Sequence, residues 1–390
     1  MAKPTAPDEA LAVYVHWPYC LAKCPYCDFN SHVRARIDSD AMGAAYRREL
    51  ETIAARIDAL PVSSIFFGGG TPSLMPTSLV ADIIETVDTL WGCTSDAEIT
   101  LEANPTSAEA ERSKGYRGAG VNRLSLGMQA LDNEALRFLG RQHSVREALA
   151  ALEIAATIFP RTSADLIYGR PGQSVADWEA ELAEALGLPV QHLSLYQLTI
   201  EKGTPFFQEA RDGRLIMPEE DAQRTLFDLT GDMTRAAGLA AYEISNHARS
   251  GEACRHNISY WRYAPYVGIG PGAHGRLPSP DGGRTATRMH AKPETWLEAV
   301  THHGEGSAEW SPVAPVERAS EALMMGLRLT GGIDAGGFRQ ATGVALAEAI
   351  SAADAEQLME SGFVDHTAES LRVTEKGRPF LNALLARLAS

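Results

Sequence analysis

Short apolar runs recur along residues 11–198, and each is followed by a longer stretch whose apolar positions repeat with helical spacing. Runs rich in Val, Ile, Leu, Phe and Tyr are typical of buried parallel strands. The runs predict strands at Leu11–Trp17, Val62–Phe67, Ala97–Leu101, Val121–Leu126, Ser163–Tyr168 and His192–Leu198. The stretches between them predict helices at Asp38–Leu60, Pro76–Leu90, Ser107–Arg117, Leu131–Phe159 and Ser174–Leu186.

Strands that alternate with helices indicate right-handed crossovers and a parallel sheet, so the fold class is α/β. Six units are fewer than the eight of a closed barrel, which leaves a partial barrel or an open sheet. The unusual residues follow the predicted strands at their carboxyl ends, namely Cys20–Cys27, Gly68–Pro72, Glu102, Asn104, Gln129, Asp165, Tyr168 and Tyr196–Gln197. Parallel α/β folds build their sites at that edge, and the sequence therefore predicts one large active face.

The pattern loosens after about residue 200. Further elements are predicted at Pro218–Ala237 (helix), Ala241–Ile244 (strand), Glu317–Leu329 and Leu346–Ser361 (helices), with short apolar segments at 363–364 and 371–373. The Pro, Gly, Asp and Ser residues of Pro278–Arg284 indicate a surface loop. We therefore predict a first domain over residues 1–277, a linker over 278–310 and a winged-helix-like domain over 311–390.

Composition narrows the class of partner. The 390 residues carry 35 Lys and Arg against 50 Asp and Glu, a formal charge of −15 that repels the phosphates of nucleic acids. No apolar run is long enough to span a bilayer, and residues 1–9 do not resemble a signal peptide. We expect a cytoplasmic protein that does not bind nucleic acid.

Three of the five cysteines, Cys20, Cys24 and Cys27, lie within eight residues. In a reducing compartment such clustering indicates metal binding, and three thiolates can each bind one iron of a [4Fe–4S] cubane. The fourth iron then stays open to the amino and carboxylate groups of S-adenosylmethionine, whose reductive cleavage releases a 5′-deoxyadenosyl radical. The alternative is a structural zinc completed by His16 or His32, but no second pair of cysteines follows.

The glycine run Gly68-Gly69-Gly70-Thr71-Pro72 lacks the Lys-Ser/Thr ending of a nucleotide-binding P-loop. Its glycines allow the backbone to approach a ligand closely, although a plain turn would use the same residues. Glu102, Gln129, Arg141 and Asp165 together are candidate contacts of S-adenosylmethionine. They offer carboxylates for its ribose hydroxyls and an arginine for its methionine carboxylate. Tyr14 is a candidate to pack against the adenine or the cluster.

The segments Tyr14–Cys20 and Cys24–His32 resemble the radical S-adenosylmethionine (radical SAM) superfamily, and more narrowly its oxygen-independent coproporphyrinogen III oxidase-like family. Further matches are Phe67–Ser73, Gly120–Gln129, Asp165–Gly169, His192–Gln197, Tyr242–Asn246 and Gly268–His274. The resemblance implies a partial (β/α)6 barrel with a winged-helix-like C-terminal domain. It also implies a [4Fe–4S] cluster on Cys20, Cys24 and Cys27, and S-adenosylmethionine contacts from Tyr14, Gly69, Gly70, Thr71, Glu102, Gln129, Arg141 and Asp165.

Two functions compete within that family. The oxidases decarboxylate the propionates of coproporphyrinogen III, and their cluster loop carries a further cysteine where this chain has Phe29. Haem chaperones of the HemW-like branch lack that cysteine and carry His-Asn-x-x-Tyr-Trp, which matches His256 to Trp261. Both features favour the chaperone. The resemblance then implies haem binding, delivery to haemoproteins, often respiratory ones, peripheral membrane contact and a homodimer.

The His256 segment has two interpretations. In the first, His256 is an axial ligand of haem iron, Cys254 is an alternative thiolate ligand, and Tyr260 and Trp261 pack against the porphyrin. In the second, His256 and Asn257 are hydrogen-bonded in a turn and the aromatic rings belong to the core. The resemblance favours the first interpretation.

Overall fold

The computed structural model of the chain describes residues 10–279 and 282–389, and only the backbone of residues 107–111. Its strands are β1 (Leu11–Trp17), β2 (Tyr19–Cys20), β3 (His32–Val33), β4 (Val62–Gly69), β5 (Cys93–Ala103), β6 (Arg123–Gln129), β7 (Arg161–Tyr168), β8 (His192–Gln197), β9 (Ala240–Ala241), β10 (Asn246–Ala248), β11 (Tyr266–Ile269), β12 (His274–Pro278), β13 (Arg284–Met289), β14 (Ser307–Val313), β15 (Ile333–Asp334), β16 (Val364–His366) and β17 (Ser370–Val373). Its helices are α1 (Ser39–Ala54), α2 (Thr77–Trp91), α3 (Ser107–Gly118), α4 (Asn133–Phe138), α5 (Val145–Ile158), α6 (Val175–Leu186), α7 (Pro205–Arg211), α8 (Glu220–Ala236), α9 (Arg255–Trp261), α10 (Pro293–His303), α11 (Pro315–Gly326), α12 (Ala335–Thr342), α13 (Leu346–Ala349), α14 (Ala352–Glu360) and α15 (Leu381–Leu388).

The large sheet has the strand order β14-β13-β12-β11-β1-β4-β5-β6-β7-β8-β10-β9. The six predicted strands are β1 and β4 to β8, and they pair in parallel with α-helical crossovers between them. Strand β11 adds a further parallel neighbour to β1, and β12 to β14 continue the sheet in antiparallel pairs. The α/β fold with six strand–helix units is therefore confirmed, within a sheet that is mixed beyond those units.

The parallel strands alternate between apolar and polar side chains. In β5, Ile99 and Leu101 belong to the hydrophobic core with the surrounding helices, while Glu98 and Glu102 face the opposite side. On that inner side, side chains of neighbouring strands bond to one another, as Ser125 Oγ does to the Asp165 carboxylate. The interior of the partial barrel is therefore lined by polar groups, which is where a polar ligand can be held.

The predicted helix Leu131–Phe159 is two helices, α4 and α5. The chain breaks at Gly140, which has φ +71°, and Ser144 with Glu147 forms a capping box that starts α5. A Cβ on Gly140 would lie 2.7 Å from Cδ of Pro25, inside the cysteine loop. The break thus lets residue 140 pack against that loop and places Arg141 beside it.

The segment 278–310, expected to be a linker, contains β13, α10 and β14. Strand β13 pairs with β12 and β14, and Trp296 and Val300 of α10 are buried in the main core. The surface loop predicted at Pro278–Arg284 includes residues 280–281, which lie outside the described residues, and Pro278 pairs with Arg284 between β12 and β13. The strand predicted at Ala241–Ile244 is likewise shorter, since only Ala240–Ala241 pairs as β9.

The last eighty residues are built around a second hydrophobic core, to which Tyr263 of the first domain also belongs. Helix α11, strand β15, helices α12 to α14 and the hairpin of β16 and β17 follow in the order of a winged helix, and the small sheet has the order β15-β17-β16. A single-turn 3₁₀ helix at Arg378–Phe380 and helix α15 complete the domain.

One buried carboxylate joins α1 to two distant parts of the sheet. Glu49 is fully buried and accepts hydrogen bonds from Gly270 N (2.8 Å), Gly306 N (2.8 Å) and Trp296 Nε1 (2.9 Å). Burial raises the pKa of Glu49 to about 7, although the three donors oppose that shift. Glu49 thereby satisfies three buried N–H groups that have no water to bind.

We predict that Glu49→Gln lowers the free energy of unfolding by about 1–3 kcal/mol, because an amide nitrogen would face one of the buried donors. The folded chain keeps a proton on Glu49 up to pH about 7, whereas the unfolded chain releases it near 4.5, so this group makes stability fall as pH rises between these values. Urea unfolding at several pH values should show that fall in the parent chain and not in Glu49→Gln. The exposed Glu51→Gln on the same helix is the control, and equal effects of the two substitutions would contradict the prediction.

Candidate functional site

The cysteine loop and the glycine loop are joined by backbone hydrogen bonds at the carboxyl ends of β1 and β4. Gly70 N donates to Trp17 O (2.7 Å) and Thr71 N donates to Tyr19 O (2.9 Å). A Cβ on Gly70 would lie 2.7 Å from Tyr19 O, which is a backbone atom that cannot rotate away. Only glycine therefore fits at position 70, and the start of the cysteine loop is held directly on the glycine loop.

Polar groups surround the three thiols. Thr71 Oγ1 donates to Cys20 Sγ (3.4 Å), Arg141 Nη1 donates to Cys24 Sγ (3.5 Å), and Cys27 Sγ lies 4.0 Å from Ser31 Oγ. Burial raises the pKa values of the Cys20 and Cys27 thiols, and the hydrogen bonds oppose the shift. Donors and a guanidinium are what thiolates bound to iron require around them.

The grouping of the thiols is compatible with a cluster. Within residues 10–279 and 282–389, no three His, Cys, Asp or Glu side chains are grouped closely enough to hold one metal ion. The thiolates of a cubane bind three different irons and need not converge on one point. Of the two imidazoles in the zinc alternative, His16 has both ring nitrogens in hydrogen bonds, with Tyr14 Oη and Asn30 O, which disfavours it as a ligand. His32 Nε2 lies 3.1 Å from Asn30 Oδ1.

A cavity of about 1200 Å³ opens at this edge of the sheet. Most of the predicted site residues line it, namely Cys20, Cys24, Cys27, Gly69, Gly70, Thr71, Glu102, Gln129, Arg141 and Asp165. Small-molecule sites usually measure about 300–1000 Å³, so this cavity has room for more than one ligand. The sequence prediction of one active face is therefore matched by a single cavity that brings together all but two of the predicted residues.

Two acidic side chains face this cavity from β5 and β7. Burial, reinforced by the nearby charge of Asp165, raises the pKa of Glu102 to about 8, while the Gly69 N–H donor opposes it. Burial also raises the pKa of Asp165, whose oxygens accept hydrogen bonds from Ser125 Oγ at 3.2 and 3.3 Å. Such partly desolvated carboxyl groups are suited to bind ligand hydroxyls.

Gln129 and Arg141 reach the cavity through irregular backbone. Gln129 has φ 68° at a bulge at the end of β6, and a Cβ on Gly127 would lie 2.8 Å from its Nε2. Asn104, noted in the sequence only as a strand end, accepts from Arg141 Nη2 and donates to Thr71 Oγ1 (3.4 Å). Asn104 therefore connects the arginine at Cys24 to the threonine at Cys20.

Tyr14 lies apart from the other candidates. It lines a second cavity of about 640 Å³, which also contacts Gly69, Glu102 and Phe29, and its Oη lies 3.0 Å from His16 Nδ1. Burial raises the pKa of Tyr14, so the phenol stays protonated. Phe29, Gly69 and Glu102 line both cavities, and they are the boundary between them.

His256 is buried below the site and lines neither cavity. Its Nδ1 lies 2.9 Å from Ser64 Oγ and its Nε2 2.9 Å from Tyr260 Oη, and burial lowers its pKa to about 3. Glu98 accepts from His256 N (3.2 Å). These contacts are those of the structural interpretation of the segment, while the low pKa keeps the imidazole neutral, as an iron ligand must be.

The C-terminal domain also lines the cavity, which the sequence analysis did not predict. Arg328, Arg378 and Phe380 do so, together with Arg224 of α8. No local motif marks them, because their positions depend on how two parts of the chain distant in sequence pack together.

Comparison with known proteins shows the family to which the chain belongs. Residues 14–185 match the Radical SAM superfamily and residues 313–380 match the HemN C-terminal domain. The chain is 40% identical over 339 residues to "Radical S-adenosyl methionine domain-containing protein 1, mitochondrial" of Danio rerio, covering 85% of this chain and 76% of the relative. It is 35% identical over 377 residues to "Heme chaperone HemW" of Escherichia coli K12, covering 96% and 97% of the two chains.

Among solved structures, coproporphyrinogen III oxidase (HemN) of Escherichia coli superposes with a TM-score of 0.81 at 21% identity, over 98% of this chain and 90% of that one, which shows the shared fold. The profile matches and the near-full-length identities agree with the three-cysteine cavity. The chain belongs to the radical SAM superfamily, in the HemW-like branch of its oxygen-independent coproporphyrinogen III oxidase-like family.

Proposed function

We propose that this protein is a haem chaperone that binds a [4Fe–4S] cluster, S-adenosylmethionine and haem, and delivers haem to haemoproteins. The observation that carries the proposal is the cysteine loop, where Cys20, Cys24 and Cys27 face one cavity and the position of the oxidases' further cysteine is Phe29. Phe29 is 60% exposed, so it does not substitute for a thiolate or fill a core position. The relatives named haem chaperone HemW support the choice of cargo.

The residues of the large cavity suggest how the cofactors would be held. Membership of the radical SAM superfamily implies the cluster on the three thiolates and S-adenosylmethionine beside it. Together these groups supply low-potential electron transfer to a sulfonium. Glu102 is suited to bind the ribose hydroxyls, Arg141 to neutralise a carboxylate, and Thr71 and Arg141 to donate to cluster thiolates.

The setting of the function is part of the proposal. The recipients would be haemoproteins, including respiratory ones reached by peripheral contact with a membrane, and the active form a homodimer. No described helix is long and apolar enough to cross a membrane. The cytoplasmic location stays a prediction, because one group of relatives is named mitochondrial.

We keep His256 as the proposed protein ligand of haem iron, with a condition that the contacts impose. Its Nε2 is hydrogen-bonded to Tyr260 Oη, so ligation requires that this bond be given up and that the side chain become accessible. Cys254, the alternative ligand, is fully buried, and burial raises the pKa of its thiol to about 12. That pKa disfavours the thiolate and leaves His256 the better candidate.

Replacing Cys24 with Ala is expected to abolish the cluster, because two thiolates leave a second iron without a protein ligand. Iron and sulfide content after anaerobic reconstitution measures the effect. Cys93→Ala is the matched control. Because Cys93 lies outside the cavity, this variant should keep the iron content of the parent protein. Stoichiometric zinc in place of iron and sulfide in the parent protein would refute the cluster assignment.

The chaperone and the oxidase are separated by one assay. Cluster-loaded protein is incubated without oxygen with coproporphyrinogen III, S-adenosylmethionine and a reductant, and haem is then titrated. We expect haem binding and no vinyl product, because the loop carries Phe29 instead of a further cysteine. Decarboxylated product at rates comparable to those of an oxidase would overturn the proposal and establish the alternative enzyme.

The haem ligand is tested by a pair of substitutions with opposite expected signs. His256→Ala should weaken haem binding about tenfold or more while sparing the cluster, because it removes the iron ligand. Tyr260→Phe should strengthen haem binding, because it frees Nε2 of His256. Tyr266→Phe, whose ring centroid lies 4.6 Å from that of Tyr260, is the control for loss of a nearby hydroxyl. Unchanged haem affinity in both His256→Ala and Tyr260→Phe would show that His256 is not the ligand.

A further inference from the structure

The C-terminal domain forms part of the wall of the large cavity that the cysteine loop also lines. This part of the wall consists of Arg328, which follows α11, and of the segment from Arg378 to Ala383. The residues predicted to contact S-adenosylmethionine all belong to the first domain. The volume of about 1200 Å³ therefore includes a region that the predicted cofactor contacts do not account for.

Arg378 brings an uncompensated positive charge to this wall. Within the part of the chain that the structure describes, its half-buried guanidinium makes no hydrogen bond or close ion pair. Burial lowers the pKa of Arg378, with Glu375 opposing and Arg235 and Arg372 adding to the shift. Glu375 is itself paired with Arg235 at 3.3 Å. A half-buried cation without a partner costs stability, and it points to an anionic ligand.

Arg328 is the second cation of this wall. Its Nη2 donates to Glu243 Oε2 (3.2 Å), its guanidinium lies 4.6 Å over the ring of Trp261, and its buried Nε has no partner among the described residues. The Glu243 carboxylate also acts electrostatically on Arg378. Two arginines thus share one buried carboxylate, and one positive charge is left over.

Among the described residues, no carboxylate of the neighbouring helix pairs with these two arginines. Helix α8 carries four acidic and two basic side chains. Arg224 pairs with Asp228 (2.7 Å), Arg235 pairs with Asp232 and Glu375, and Glu220 and Asp221 line the cavity. The unpaired positive charge therefore belongs to Arg378 of the C-terminal domain.

Apolar side chains line the same cavity as the two arginines. They include Leu198, Phe227, Ile244 and Phe380, and Phe380 is 46% exposed. The cavity therefore combines apolar surface with two guanidinium groups of the C-terminal domain. That combination is complementary to a flat apolar molecule with carboxylates at one edge.

We propose that Arg328 and Arg378 form a carboxylate-binding site for the propionates of the porphyrin, so that the C-terminal domain orients the haem in the cavity. This inference rests on the proposed haem-binding function and adds the residues that recognise the cargo. The Trp261 ring under Arg328 belongs to the His-Asn-x-x-Tyr-Trp motif, so the carboxylate site adjoins that motif.

The test compares haem with its dimethyl ester, in which both propionates are blocked, by absorbance titration of the full-length cluster-loaded protein. The parent protein should bind the ester about tenfold or more weakly, because charged hydrogen bonds are lost. Arg378→Gln should weaken haem to a similar degree and leave ester binding unchanged, so that the preference disappears. Its thermal midpoint should not fall, since the guanidinium has no protein partner to lose.

The control is Arg372→Gln, which removes the same charge from an exposed residue paired with Asp365 outside the cavity and should keep the full preference. Because Arg328 also packs on Trp261, it is tested by Arg328→Lys, which keeps the charge and should keep part of the preference, beside Arg328→Gln, which should lose it. Equal binding of haem and ester by the parent protein, or an undiminished preference in Arg378→Gln, would overturn the inference alone. If neither form binds to the cluster-loaded protein, the haem-binding function itself is wrong.

Discussion

The geometry of this site depends on a pair of backbone hydrogen bonds, from Gly70 N to Trp17 O and from Thr71 N to Tyr19 O. They tie the exit of β1 to the exit of β4, and so fix where the first cysteine begins its loop. Because these atoms belong to the main chain, the junction can be kept only if residue 70 has no side chain. Arg141 and Asn104 then close the loop from the other side, and the thiols keep their positions relative to the carboxyl edge of the sheet.

Side chains of the parallel strands alternate between the hydrophobic core and the interior of the partial barrel. Those that face the interior form two polar levels, which differ in whether their hydrogen-bonding groups already have protein partners. Near the amino ends of the strands, Glu98 accepts from Arg161 Nη1 (2.5 Å) and from His256 N, which makes that level a closed network of partners. At the carboxyl ends, Glu102 and Asp165 lie beside open space, and their pKa values are raised because burial is incompletely offset. A saturated level supports the fold, whereas an unsaturated level can still bind a ligand. His256 lies in the saturated level, which is why ligand exchange there must begin with a change of its partners.

The sequence predicted those features that are local. Strand positions follow from short apolar runs, and the cysteine spacing favours a cluster over zinc because three thiolates on one loop can each bind one iron of a cubane and no second pair of cysteines follows. Apolar runs alone did not show which side of its strand each polar residue faces. Glu98 of β5, Ser125 of β6 and Asp165 of β7 all face the interior of the partial barrel. The break at Gly140 was missed because helical periodicity continues through it, and only contact with Pro25 explains why the chain must turn there. Residues 278–310 were read as a linker because turn composition cannot distinguish a hairpin in a sheet from a connection between domains. The arginines of the C-terminal domain lie far along the chain from the site residues of the first domain, and no sequence pattern records such packing.

The charge of the whole chain bears on how an anionic cargo is recognised. With a net charge of −15, the surface repels carboxylates and phosphates at distances comparable to the Debye length. A ligand with propionates is therefore not attracted to the exterior, and its binding must depend on short-range pairing inside the cavity, where screening by salt is weak. Arg378 is placed for that role because its guanidinium is half-buried and, among the described residues, makes no hydrogen bond or close ion pair, and desolvation strengthens the charge pair that it forms with a ligand. An acidic exterior with a confined cationic wall thus favours cargo that fits the apolar surface as well as the charge, and discriminates against anions that offer charge alone.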